Sequence, residues 1–153
     1  MDELPTSLEL RRLGPADLEQ VIAASPLFDG PARREWAELF LSRQGHHLVV
    51  AYLDGVAVGF ASGIEMTHPD KGTEMMLYEL GVQEEYRRLG FGRALVLAVG
   101  RLAQERGCYG MWTATEPDNA AAIATYRAAG AAPPDPTVTL AWTFDADKGP
   151  SAD

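Results

Sequence analysis

One cysteine, Cys108, stands in 153 residues, so no disulfide can form within a copy of the chain and burial alone must hold it together. The three histidines, His46, His47 and His68, form no cluster at metal-ligand spacing, and no metal is expected. Positive charge is scarce. Thirteen Lys and Arg against 22 Asp and Glu give a net charge of −9, which argues against a nucleic-acid partner and either favours a cationic acceptor or merely keeps the protein soluble. No apolar run approaches the roughly 20 residues that span a bilayer, so no membrane partner is expected. The opening Met1-Asp2-Glu3-Leu4-Pro5 lacks an apolar signal core, and a soluble cytoplasmic protein is the expectation. Repeats and interdomain linkers are also missing. At 46% hydrophobic residues the chain can bury a real core, and a single domain over residues 1–144 with a flexible polar tail over 145–153 is expected.

What is present alternates between strand and helix patterns. Ser7 to Leu13 has apolar residues at every second position and reads as an opening strand. Pro15 to Ala24 and Pro31 to Ser42 carry helical stripes, Leu18, Val21 and Ile22 in the first and Trp36, Leu39 and Phe40 in the second. His47 to Leu53 and Val56 to Met66 flank Asp54-Gly55, the strongest short hairpin signal in the chain, and Thr67 to Gly72 reads as a loop. Glu74 to Val82 is a further strand, with Met75, Leu77, Glu79 and Gly81 on one face, Met76, Tyr78, Leu80 and Val82 on the other, and both faces covered. Ala94 to Glu105 is a long helix turning Leu95, Val99 and Leu102 inward and ending at Gly107. Gly110 to Thr115 follows as a strand, parallel to its predecessor because a helix separates them. A helix from Asn119 to Gly130, the stiff Pro133, Pro134 and Pro136, and a last strand over Thr137 to Phe144 complete the chain.

Between the Glu74 strand and the long helix lies Arg87-Arg88-Leu89-Gly90-Phe91-Gly92-Arg93-Ala94. The first turn of a helix leaves amides without internal partners, and the aligned peptide dipoles make that end partly positive, so it can hold a phosphate. Gly90 and Gly92 put no side chain in the way, and Arg87, Arg88 and Arg93 add positive charge; a bare glycine turn with solvated arginines is the plainer reading. The spacing Arg-x-x-Gly-x-Gly is neither a dinucleotide fingerprint nor a P-loop. A second block follows, Asn119-Ala120-Ala121-Ala122-Ile123-Ala124-Thr125-Tyr126-Arg127-Ala128-Ala129-Gly130. Asn119 and Tyr126 lie two helical turns apart and share a face.

Together and in this order, the two blocks resemble the acetyl-CoA loop and the Asn-x-x-Ala-Ile-x-x-Tyr-x-x-x-Gly helix of the GNAT superfamily of N-acetyltransferases. The resemblance implies an α/β fold of the α+β kind, a mixed, mostly antiparallel sheet that splays between two parallel strands and is flanked by helices. It implies acetyl-CoA as cosubstrate. Leu80, Gly81 and Val82 would meet the pantetheine arm, Arg87, Arg88, Leu89, Gly90, Phe91, Gly92, Arg93 and Ala94 the diphosphate, and Asn119 the arm's amides, unless Asn119 simply caps its helix. Homodimers are common in that family. Ala131 departs from its pattern, standing where an aromatic residue is usual.

Acetyl transfer to an amine needs a group to take the amine's proton and an acid for the departing thiolate. Glu79, a lone carboxylate in an apolar strand, is the candidate base, directly or through water; an ion-paired edge glutamate is the alternative. Tyr126, which the resemblance sets beside the cofactor sulfur, is the candidate acid, against simple aromatic packing. Cys108 reads as a packed thiol rather than a nucleophile. The stretch Phe60 to Lys71 followed by Tyr78 to Val82 looks most like the aminoglycoside 3-N-acetyltransferase branch, which would make the acceptor a polycationic small molecule. Glu65, Asp70, Glu74, Glu79, Glu116, Asp118 and Asp135 could then place carboxylates around its cleft. A protein acetyltransferase and a non-catalytic acyl-CoA-binding module are the alternatives.

Overall fold

A computed structural model describes residues 7–145 and 147. β1 (Leu8–Leu13) leads into α1 (Leu18–Ala23) and α2 (Arg34–Ser42). Three strands follow, β2 (His46–Leu53), β3 (Val56–His68) and β4 (Gly72–Val82), then α3 (Phe91–Glu105), a short β5 (Met111–Trp112) and α4 (Ala120–Ala128). The strands form one sheet in sequence order, antiparallel from β1 to β4 and parallel between β4 and β5. Asp54 and Gly55 take φ of 51° and 82°, the left-handed pair that a two-residue hairpin between twisted strands requires. The second helix starts later than its pattern suggests because the Ser25 hydroxyl accepts the Ala32 N–H at 2.9 Å and holds the chain extended before Arg34. The loop after β3 is also shorter than expected, since pairing continues to His68 opposite Gly72.

Alternation along the strands feeds two cores. Val49, Ala51, Met75 and Leu77 pack with Leu95, Val96 and Val99 of α3 on one face. Leu48, Val50 and Phe60 pack with Val21, Ala37 and Leu41 on the other. The predicted inward stripe of α3 is buried as expected.

On α2 the expected stripe is displaced, since Trp36 and Leu39 are 44% and 49% exposed while Ala37 and Leu41 are buried. Two further expectations fail, each for a non-local reason. On β4, Ser62 pairs with Glu79 while Gly63 pairs with Leu77, so Tyr78 is an extra residue in the ladder. This bulge reverses the alternation beyond it. Leu80 and Val82 join Met75 and Leu77 on the α3 face, and Glu79 and Gly81 turn to the α1–α2 face. Both faces were expected to be covered; instead Tyr78 and Glu79 are exposed. The second failure is the last strand. Among the described residues Thr137 to Phe144 forms no strand and pairs with none of the sheet, whose β5 is only two residues long. The tail expected over 145–153 lies, apart from Asp145 and Asp147, outside the described residues.

One titratable group sits inside. His47 is 1% exposed, and its Nδ1 accepts from an Arg12 guanidinium nitrogen at 2.8 Å. Arginine can only donate, so the ring proton is on Nε2, which donates to Glu65 Oε2 at 2.6 Å. Arg106, just past the end of α3, donates to the same oxygen at 3.0 Å. Burial first, and then the charges of Arg12 and Arg106, hold His47 below its ordinary range despite the Glu65 bond. Burial works to raise Glu65, but its bonds from His47 and Arg106 prevail and hold it low. Acid must therefore protonate the unfolded chain first. Stability is expected to be full above about pH 6.5, to fall as His47 becomes chargeable on unfolding, and to fall again below about 4.5 as Glu65 follows. Urea denaturation between pH 7.5 and 5 checks this: His47→Gln should lower stability at pH 7.5 yet flatten the decline.

Candidate functional site

The turn after β4 aims backbone amides outward. Arg88 at φ 64° and Gly90 at φ 85° reverse the chain twice before α3 begins, and the first bond of its ladder is Ala94 N–H to the Gly90 carbonyl at 3.0 Å. Amides ahead of Ala94 have no carbonyl one turn earlier to bind, and they carry the positive end of a 15-residue dipole. Side chains of the turn divide by role. Arg87 and Arg88 are exposed, with Arg87 Nε braced on the Val82 carbonyl at 3.1 Å, and Leu89 is exposed as well. Phe91 is 1% exposed and stacks on Tyr86, and Ala94 is buried, so both offer a ligand only backbone. Gly92 is needed for packing, since a Cβ there would lie 3.2 Å from Thr125 Cγ2 of α4. Arg93 Nε donates to the Ala128 carbonyl at 2.9 Å, which ties the start of α3 to the end of α4.

Next to this turn the sheet opens. Pairing between β4 and β5 is confined to Met75 with Met111 and Met76 with Trp112, and the Thr113 hydroxyl donates to the Leu77 carbonyl at 2.8 Å where it stops. From Tyr78 to Val82, β4 has among the described residues only β3 paired beside it, so half of its backbone groups face a slot that an amide-bearing chain could enter. Leu80 and Val82 pack inward, and Gly81 faces Phe60 and the Leu27 carbonyl.

Glu79 and Tyr126 stand on opposite sides of that opening. The Glu79 carboxylate accepts from the buried Ser62 hydroxyl at 2.9 Å and is otherwise exposed on the α1–α2 face. Tyr126 is half-buried on α4, in a wall it shares with Leu77 and Thr113, the two residues at which the strands part. Asn119 caps α4: its Oδ1 accepts the Ala122 N–H at 3.1 Å and its Nδ2 donates to Thr115. Ser62 and Thr113 were not found in the sequence. Only the pairing of β3 with β4, and of β4 with β5, reveals them.

Three of the seven carboxylates, Glu65, Asp70 and Glu74, are engaged by other partners. Glu65 is committed to His47 and Arg106, and Asp70 to Lys71. Glu74 accepts from Tyr109 at 2.6 Å and Trp112 at 3.1 Å, which with His68 nearby keep it below the usual carboxylate range. Glu74 is also five residues from Glu79 along β4, about 16 Å in an extended strand. Cys108 is half-buried, and burial followed by the charge of Glu65 pushes its thiol up, which suits packing rather than attack. Among the described residues no three His, Cys, Asp or Glu side chains form a metal-binding group, and no helix is long and apolar enough to cross a membrane.

Comparison with known proteins agrees with this geometry. Residues 16–131 match the model of the acetyltransferase (GNAT) family. A mycothiol acetyltransferase from Salinispora arenicola (strain CNS-205) is 40% identical over 79 residues, 52% of this chain but only 24% of that relative's length. Among solved structures, the aminoglycoside acetyltransferase meta-AAC0020 from an uncultured soil metagenomic sample, in complex with trehalose, superposes with a TM-score of 0.85 at 20% identity. The match covers 94% of this chain and 100% of that one. AAC(6')-Iy in complex with a CoA-containing bisubstrate analogue gives 0.76 at 22% identity, over 90% and 99% of the two chains.

Proposed function

Since the chain belongs to the GNAT family of acetyltransferases, whose acetyl donor is acetyl-CoA, we propose that it transfers acetyl directly to a primary amine of a cationic small molecule, with an aminoglycoside as the leading acceptor class. Residues 1–144 act as one domain in this reading. The observation that carries it is the opening of β4 from β5 next to the amides at the start of α3, with Glu79 on one side and Tyr126 on the other.

In this reading the diphosphate of acetyl-CoA rests on the amides around Gly90 to Gly92, flanked by Arg87 and Arg88. Its pantetheine arm lies along Leu80, Gly81 and Val82, with Asn119 at the arm's far side. The amine enters over the α1–α2 face and attacks the thioester carbonyl carbon. A C–N bond forms, the C–S bond breaks, the ammonium proton passes to Glu79 directly or through water, and the thiolate takes a proton from Tyr126. Ser62 holds the Glu79 carboxylate in one orientation. No enzyme nucleophile is needed, because the donor arrives already activated.

The aminoglycoside assignment draws on the net charge of −9 and on the kind of enzyme that shares this fold. A panel of aminoglycosides, polyamines, amino acids and peptides, followed by release of CoA thiol, tests it. Turnover of polycationic sugars far above the rest is the expected result. Turnover of peptides alone would transfer the site to a protein substrate.

A further inference from the structure

Behind the point where β4 and β5 part lies a cleft of about 320 Å³, on the side of the sheet where α3 and α4 pack. It begins at Leu77, Thr113 and Tyr126, the residues at the fork, and continues past Gly100, Ala103 and Met111. This is not the diphosphate site, because it reaches α3 at Gly100, about 15 Å along the helix from Gly90. Its lining carries no charge. In a chain that is 23% charged, no Asp, Glu, Lys or Arg is among the described residues that form its wall. Tyr109 and Trp112 contribute to that wall with their polar hydrogens already given to Glu74, at 2.6 and 3.1 Å. A diphosphate or a polycation would lose its hydration there and gain no opposite charge in return.

Gly100 supplies a second, independent observation. It stands in the interior of the 15-residue α3, where glycine costs about 0.5–1 kcal/mol against alanine. Neither backbone nor packing calls for it. Its φ is not among the positive ones, and beyond the helix itself a Cβ would meet only Met111 Cε, at an ordinary 3.7 Å. What the missing side chain leaves is room in the cleft.

The direction of the slot says what can use that room. In the placement proposed above, the cosubstrate comes from the start of α3, its arm runs along β4 from Val82 toward Leu80, and its sulfur ends beside Tyr126. A chain on the far side of the thioester continues along the same line toward Leu77 and Thr113, where the cleft starts. The amine enters over the α1–α2 face, so chain and amine do not compete for space. An apolar cavity of about 150 Å³ admits benzene, and roughly twice that volume takes a bent chain of about six to eight carbons.

We propose that this cleft is an acyl pocket, and that the enzyme transfers acyl groups of about four to eight carbons from their CoA thioesters in addition to acetyl. The inference rests on the placement of acetyl-CoA under the proposed function. The step balances as it does for acetyl. The amine nitrogen bonds the acyl carbonyl carbon, the C–S bond breaks, the ammonium proton passes to Glu79 and the thiolate takes one from Tyr126.

Calorimetry with acetyl-, butanoyl-, hexanoyl- and octanoyl-CoA tests this, with transfer to the best amine of the panel followed in parallel by mass spectrometry. Each buried CH₂ tightens binding about three- to fourfold, so hexanoyl-CoA with half of its four added carbons buried should bind about tenfold more tightly than acetyl-CoA. The N-hexanoyl amine should form. Gly100→Leu fills the cleft with a residue that suits a helix, and it should erase the gain while leaving the Kd for acetyl-CoA unchanged. Affinity that is flat or falls with chain length would overturn the proposal, and so would a folded Gly100→Leu that keeps the gain. Tight binding of hexanoyl-CoA with no N-hexanoyl product would overturn it as well. Acetyl transfer without any chain-length gain removes the pocket alone and leaves the proposed function standing, whereas failure of every CoA thioester to bind removes both. The chain-length series uses the unsubstituted protein and decides the matter even if the variant does not fold.

Discussion

Glu79→Gln should lower kcat by about 10²–10⁴-fold, the range that a positioned base contributes, while leaving the KM for acetyl-CoA within a few-fold. The argument is geometric. Glu79 is turned to the α1–α2 face by the bulge at Tyr78, away from the face on which α3 packs, and its carboxylate accepts a hydrogen bond from Ser62. Glutamine keeps the shape and can still accept from that hydroxyl, so folding should be unaffected. It cannot take a proton from an ammonium. Steady-state kinetics with the best amine of the panel decides the point; an unchanged kcat would remove Glu79 from proton transfer. Tyr126→Phe should give a smaller loss, because CoA thiolate is a good leaving group that solvent can also protonate. Tight binding of acetyl-CoA with no turnover of any amine by the unsubstituted chain would point to a binding module without chemistry.

The second large effect concerns the anion site. Gly90 sits at φ 85° at the cap of α3, where aspartate and asparagine are the side chains that best tolerate left-handed backbone. The two are nearly the same size and differ in charge. A carboxylate some 5 Å from a diphosphate costs about 2–3 kcal/mol at the effective dielectric of a protein surface, roughly 30–100-fold in affinity. Gly90→Asp should therefore raise the Kd for CoA by about that factor over Gly90→Asn, with the gap narrowing as salt is added. Calorimetry of both variants at low and high ionic strength measures it. Equal affinities would mean that the diphosphate lies elsewhere.

The features legible in the sequence are those fixed within a few residues. Asp54-Gly55 specifies its hairpin through two left-handed residues, and Gly90 specifies the start of α3 through its left-handed cap conformation. The stripe of α3 could be read for the same reason. What escaped depends on partners distant in the chain. The bulge that orients Glu79 exists only in the pairing of β3 with β4, so alternation along β4 alone put Leu80 and Val82 on the wrong face. A Cβ at Gly92 would also press on Thr125 Cγ2 of α4 at 3.2 Å, a contact that only the packing of α3 on α4 reveals. Arg93 looked like charge for a phosphate and its Nε caps α4. Thr137 to Phe144 has every local property of a strand, but a strand also needs an edge to bind, and no pattern in its own residues says whose edge that is.

The central claim is that the amides at the start of α3 hold the cosubstrate's diphosphate. Amide shifts of the labelled protein, recorded as CoA is titrated in and again with pantetheine, test it most directly. The account predicts that CoA moves the Phe91 and Gly92 N–H signals downfield, as a hydrogen bond to phosphate does, while pantetheine leaves them unmoved and shifts only β4 around Leu80 to Val82. Saturating CoA that leaves Phe91 and Gly92 where they were would contradict it.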